Sequence, residues 1–128
     1  MDQASAVSDA ATGWIDYWRQ QLETGQFPDS EASSIVDELI RDDPDSGWAT
    51  ILAVLERIDA QPSSRLFQVL AAGPLEDLLA RHGDAFVERI ESEARVNERF
   101  KLLLGGVWQN AMSEHVWRRV QACRAETW

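Results

Sequence analysis

The chain has one cysteine, Cys123, and two histidines, His82 and His115. A single thiol excludes an internal disulfide, and a zinc site built on several cysteines is excluded with it. No stretch approaches the roughly 18 consecutive apolar residues that a membrane span needs. The opening Met1-Asp2-Gln3-Ala4-Ser5 lacks the positive and apolar regions of a signal peptide. A soluble, cytoplasmic protein that does not engage a membrane is therefore expected. The chain also lacks a glycine-rich phosphate loop, an H-E-x-x-H pair and a nucleophile elbow, and Cys123 has no catalytic context. The acidic loop Arg41-Asp42-Asp43-Pro44-Asp45-Ser46-Gly47 lacks the ligand spacing and distal bidentate Glu of a calcium loop. Neither a metal nor a cofactor is expected.

Positive charge is scarce at one end. Residues 1–47 hold eleven acids against Arg19 and Arg41, a balance of −9, while the other 81 residues sum to only −1 of the chain's −10. Phosphate contacts need clustered Lys and Arg, so binding to DNA, RNA or anionic lipid is disfavoured. A basic protein partner is permitted, with Asp37, Asp42, Asp43 and Asp45 as its candidate contacts. The simpler reading is a solvated acidic face that keeps the protein soluble.

A length of 128 residues supports one domain, 1–128, with residues 1–7 as a flexible tail. No window alternates apolar and polar residues with period two, so strands are not expected. Helical spacing recurs instead. A first helix is expected from Ser8, as N-cap, to Thr24, with Ala11, Trp14, Ile15, Trp18 and Leu22 inward and Gly25 as its stop. After a break at Phe27-Pro28-Asp29-Ser30, a second helix runs to Arg41 with Ile35, Val36, Leu39 and Ile40 inward. The third, about Gly47 to Asp59 and capped by Asp45 or Ser46, carries Trp48, Ile51, Leu52, Leu55 and Ile58. A fourth covers Ser64 to Ala72.

The most fully punctuated stretch follows. Gly73 suits a helix end, Pro74 a first helical position, and Gly83 a left-handed stop, enclosing a short helix whose Leu75, Leu78, Leu79 and His82 share one face. Further helices are expected from Ala85, capped by Asp84, to Ala94, through Phe100 to Trp108 across the soft Gly105-Gly106 pair, and from Ser113 to Arg124. Residues 65–72 echo 99–106 at an offset of 34. The fold class is all-α, with six to eight short helices either as HEAT-like stacked pairs or as an irregular bundle.

Gly73-Pro74-Leu75-Glu76-Asp77-Leu78-Leu79 with His82-Gly83, then Glu93-Ala94 and Val107-Trp108, resembles a family of small uncharacterised bacterial proteins. The likeness covers about Trp48 to Trp117. It implies bacterial origin and a helical fold, and it adds no catalytic residue because the family has no established activity. The HEAT-type pairing is fold analogy alone.

Glu76 stands where a capping-box Glu reaches back to the cap N–H, Asp77 and Arg81 are spaced to pair, and His82 closes a leucine-lined face. Were the protein an enzyme, Glu76, His82 and Glu93 would be its acids and bases, with His115 behind them. The leading expectation is a non-enzymatic helical protein-interaction module, an acidic immunity or adaptor protein for a basic partner. The alternative is a small-ligand-binding protein or enzyme with a pocket near His82. Trp117 and Trp128 at the C-terminal end add the expectation of a homodimer through the last helix.

Overall fold

The computed structural model describes residues 3–25 and 31–128, with side chains from residue 4 in the first segment and from 35 in the second. The expected break at Phe27-Pro28-Asp29-Ser30 lies outside the described residues. Every regular element among the described residues is helical: α1 (Gln3–Thr24), α2 (Glu31–Asp42), α3 (Pro44–Arg57), α4 (Arg65–Leu70), α5 (Glu76–Val96), α6 (Glu98–Leu104) and α7 (Glu114–Cys123), with a π-helical turn at Ala71–Leu75. The expected all-α class is what forms.

Side chains at 3.6-residue spacing explain the burial. In α1, Ala11, Trp14 and Ile15 are buried, with Trp18 packed against them. In α3, Ile51, Val54 and Leu55 are buried, and so is Ile58 just beyond its end. Phe86, Val87, Ile90 and Ala94 do the same for α5. Helix α1 packs on both α2 and α3, and α5 packs on α7 and α6. That arrangement is an irregular bundle rather than a stack of equivalent pairs.

Local starts differ from the sequence expectation in two places. Helix α1 begins at Gln3, which leaves Ser8 inside it. There Ser8 serves a tertiary purpose, its Oγ accepting from the Arg57 guanidinium at 2.8 Å and its carbonyl at 3.2 Å. Helix α3 starts at Pro44, and its cap is Asp43, which accepts from the Ser46 amide and from the Ser46 hydroxyl at 2.7 Å. Proline at the first helical position sacrifices no bond within α3, and its fixed φ is already helical.

The larger correction concerns Gly73, Pro74 and Gly83. No break occurs at Gly73: α4 passes through the π turn directly into α5. Pro74 has no N–H for the carbonyl four residues back, and its ring crowds that carbonyl. Widening the turn accommodates it, and the Glu76 amide now bonds Ala71 O, five residues back. Gly83 is no stop either, since it is buried inside α5 where a Cβ would stand 3.0 Å from both Val116 methyls of α7. Its small size lets two helices approach. The kink in α5 falls instead at His82, with φ −132° and ψ 21°.

The C-terminal segment folds back on the core. Gly105-Gly106 ends α6, and both glycines are buried because the Trp128 segment lies where their Cβ atoms would be. The Trp128 indole stacks on Phe67 at 5.2 Å between centroids and donates its Nε1–H to Leu102 O at 2.8 Å. The aromatic area that suggested a C-terminal homodimer is, for Trp128, covered by the chain itself.

Candidate functional site

The second half of α2 faces the π turn and the start of α5 across a groove of about 550 Å³. Asp37 and Arg41 line it from α2; Gly73, Glu76, Asp77 and Arg81 line it from the other side, with Asn110 at its end. The π turn helps shape this groove, leaving Gly73 exposed with open space where a side chain would project. Single π turns recur at functional sites because they re-aim the residues around them.

Glu76 has no helix start to cap, because the helix runs through it. Only 6% exposed, it is the one buried charged residue among those described. Its carboxylate accepts from Asn110 Nδ2 and from the Trp108 backbone N–H. Burial pushes the Glu76 carboxyl above the usual range, against the opposing pull of those two hydrogen bonds. Asn110 itself sits at φ 43°, the left-handed region that Asn tolerates better than most residues. Glu76 is thus the anchor for the loop between α6 and α7. Asp37 is also held up, by burial first and then by the neighbouring Asp77, while Arg41 and Arg81 pull it down. Those guanidiniums are already engaged: Arg81 Nε lies 2.9 Å from Asp77 as the spacing predicted, and Arg41 Nε lies 3.3 Å from Asp42.

His82 pins α5 to α2. Pro44 supplies no N–H for the Ile40 carbonyl four residues before it, and His82 Nε2 stands 2.7 Å from that oxygen. A carbonyl only accepts, so Nε2 carries the proton. The ring also meets Phe86 edge-on at 6.4 Å.

The three residues proposed as acids and bases are each tied to a separate scaffold. Glu76 holds Asn110, His82 holds Ile40, and Glu93 accepts from Asn97 Nδ2 at 2.9 Å, beside the cap of α6. No hydrogen bond joins any two of them among the described residues. His115 is exposed on the first turn of α7. Of the four candidate partner contacts, Asp37 lines the groove, Asp42 pairs with Arg41, Asp43 caps α3, and Asp45 lies 2.5 Å from Arg89 Nη1. Sequence reasoning missed Asn110 and the Trp108 amide. Asn soon after a Gly-Gly helix end hints at a left-handed residue, but nothing in the sequence ties it to Glu76. No group of three or more potential metal ligands occurs among the described residues.

A raised carboxyl has a definite stability signature. A group whose folded pKa exceeds its unfolded value of 4.5 contributes stability below that value, and the contribution is lost as pH rises through the folded pKa. Glu76→Gln, which keeps an acceptor for Asn110, should match or exceed the wild type at pH 7 and remove that pH dependence. Glu76→Ala removes the charged acceptor that holds Asn110 and should cost about 1–3 kcal/mol. Urea unfolding from pH 4 to 7 decides: a glutamine variant less stable than wild type at pH 7 contradicts a burial-dominated carboxyl.

The fold defines an irregular all-α bundle with a groove lined by both carboxylates and guanidiniums and without an assembled catalytic cluster among the candidate residues. The chain belongs to DUF6869, a family of unknown function whose model matches residues 20–128. Nothing matches among the curated proteins or the solved structures. No helix among the described residues is long and apolar enough to cross a membrane.

Proposed function

We propose that this protein is a non-catalytic interaction module, an acidic adaptor or immunity-type protein that receives a basic partner along α2 and the adjoining groove. The observation that carries the reading is Asp37. It lines the groove beside Asp77, and the two nearby guanidiniums, those of Arg41 and Arg81, are engaged by Asp42 and Asp77. A lysine or arginine side chain entering the groove adds counter-charge beside Asp37, beyond the pull of Arg41 and Arg81. Exposed acids along the same half of the chain, Asp9, Asp16 and Glu38, add a field that steers a cationic partner. The setting we propose, from the sequence resemblance, is the bacterial cytosol.

The immobilised protein is expected to retain a basic protein from native lysate, with retention falling as salt rises, and the Asp37→Lys, Asp42→Lys double variant is expected to lose it. Recovery of nothing, retention insensitive to salt, or equal retention by the charge-reversed variant contradicts the reading.

A further inference from the structure

In a chain of net charge −10, most basic side chains have an oxygen to hold. Arg41, Arg81, Arg89, Arg118 and Arg119 each pair with a carboxylate. Arg57 donates to Ser8 and Thr12, and Arg99 to the carbonyls of Leu55 and Ile58. Arg19, Arg65, Arg95, Lys101 and Arg124 have side chains in no ion pair or hydrogen bond among the described residues, and the last three line one groove of about 530 Å³ between α5, α6 and α7. We infer that this groove binds the phosphate group of a small phosphomonoester.

Two carboxylates, Glu91 and Glu98, line the groove beside the three cations and leave its lining net positive. Arg119 takes the Glu91 carboxylate with both Nε, at 3.0 Å, and Nη2. Glu98 is exposed at the start of α6. Cations near helix C-termini often serve the last carbonyls, yet the ending carbonyls of α6 already have donors. Ala125 N–H bonds Lys101 O at 3.2 Å, the Trp128 indole bonds Leu102 O, and Trp128 N–H bonds Gly105 O at 3.2 Å. The charge of Lys101 is free for a ligand. Arg124 is oriented in advance, its guanidinium lying 5.1 Å from the centroid of the Trp117 ring.

Three cations suit the three terminal oxygens of a phosphomonoester better than the two of a carboxylate. The volume is that of a small-molecule site. The alanines Ala94 and Ala122 and the thiol of Cys123 offer a low, weakly polar wall for the organic part. A nucleic acid is a poor occupant, since so acidic a protein repels a polyanion at long range.

Cys123 is the only thiol in the chain and lines the groove, so it reports occupancy directly. The test is alkylation of the full chain by neutral iodoacetamide, at constant ionic strength, with phenyl phosphate or inorganic phosphate as the probe. Phenyl phosphate should protect Cys123 saturably and more tightly than inorganic phosphate. Lys101→Gln should weaken that protection about tenfold, the loss expected for one charge-assisted hydrogen bond. Arg65→Gln, an exposed cation outside the groove, should leave it unchanged. Absent or unsaturable protection, or the same behaviour from the two variants, overturns the site. Equal protection by inorganic phosphate overturns the phosphomonoester in favour of the free ion. Both variants should keep the wild-type circular dichroism, and Arg95→Gln supplies a second groove substitution that must weaken protection if Lys101→Gln fails to fold.

Discussion

Trp128→Ala should destabilise the protein by about 3 kcal/mol and lower its melting temperature by roughly 10 °C. Position near the chain end would suggest a small effect, but the indole stacks on the fully buried Phe67 and covers Gly106. Its removal opens a space over both and leaves Leu102 O without the Nε1–H. The two glycines then have no reason to be small. Trp108 provides the contrast: 66% exposed, it should tolerate alanine within about 0.5 kcal/mol. Thermal and urea unfolding of the two variants measure the difference. Equal losses for Trp108→Ala and Trp128→Ala would show that the C-terminal segment does not carry the packing ascribed to it.

His82→Ala should cost about 2 kcal/mol, because it leaves the Ile40 carbonyl with neither a side-chain donor nor the helical donor that Pro44 lacks. Ile40 is fully buried, so water is a poor substitute. His82→Gln, which retains an N–H donor of similar reach, should recover part of the loss. Pro44→Ala in the His82→Ala background supplies a different donor, the restored backbone amide. It should therefore cost less stability, or gain more, than Pro44→Ala alone. Urea unfolding of the four chains forms the cycle; strictly additive effects would mean that the ring and the missing amide do not serve the same oxygen.

Much of the bundle was legible because burial follows the helical repeat: Ile51, Leu55, Ile90 and Ala94 are inward as their spacing indicates. The failures share a cause. Gly73, Pro74 and Gly83 carry strong local signals for helix ends, but each signal has a second meaning that depends on distant residues. Pro74 is absorbed by a widened turn, and Gly83 makes room for Val116, 33 residues on. The Asp43 cap was closer to hand, since Pro44 marks a first helical turn and thereby designates the residue before it. The groove was legible only in part. Asp37 and Glu76 were singled out in it, and His82 beside it, yet the partners that define the roles of Glu76 and His82, Asn110 and Ile40 O, lie 34 and 42 residues away in sequence. Residue type marks such side chains as unusual, while the topology alone decides whether they meet a substrate, a partner or a carbonyl.

The claim that a basic partner enters the groove between α2 and α5 is tested most directly by nuclear magnetic resonance, following backbone amides as a hexa-arginine peptide is added at low salt. Saturable shifts should centre on Asp37, Gly73, Asp77 and Asn110, and Asp37→Asn should weaken them. Shifts that fail to saturate, or that centre on the exposed acids of α1 such as Asp9 and Asp16 while the groove amides stay in place, would contradict it.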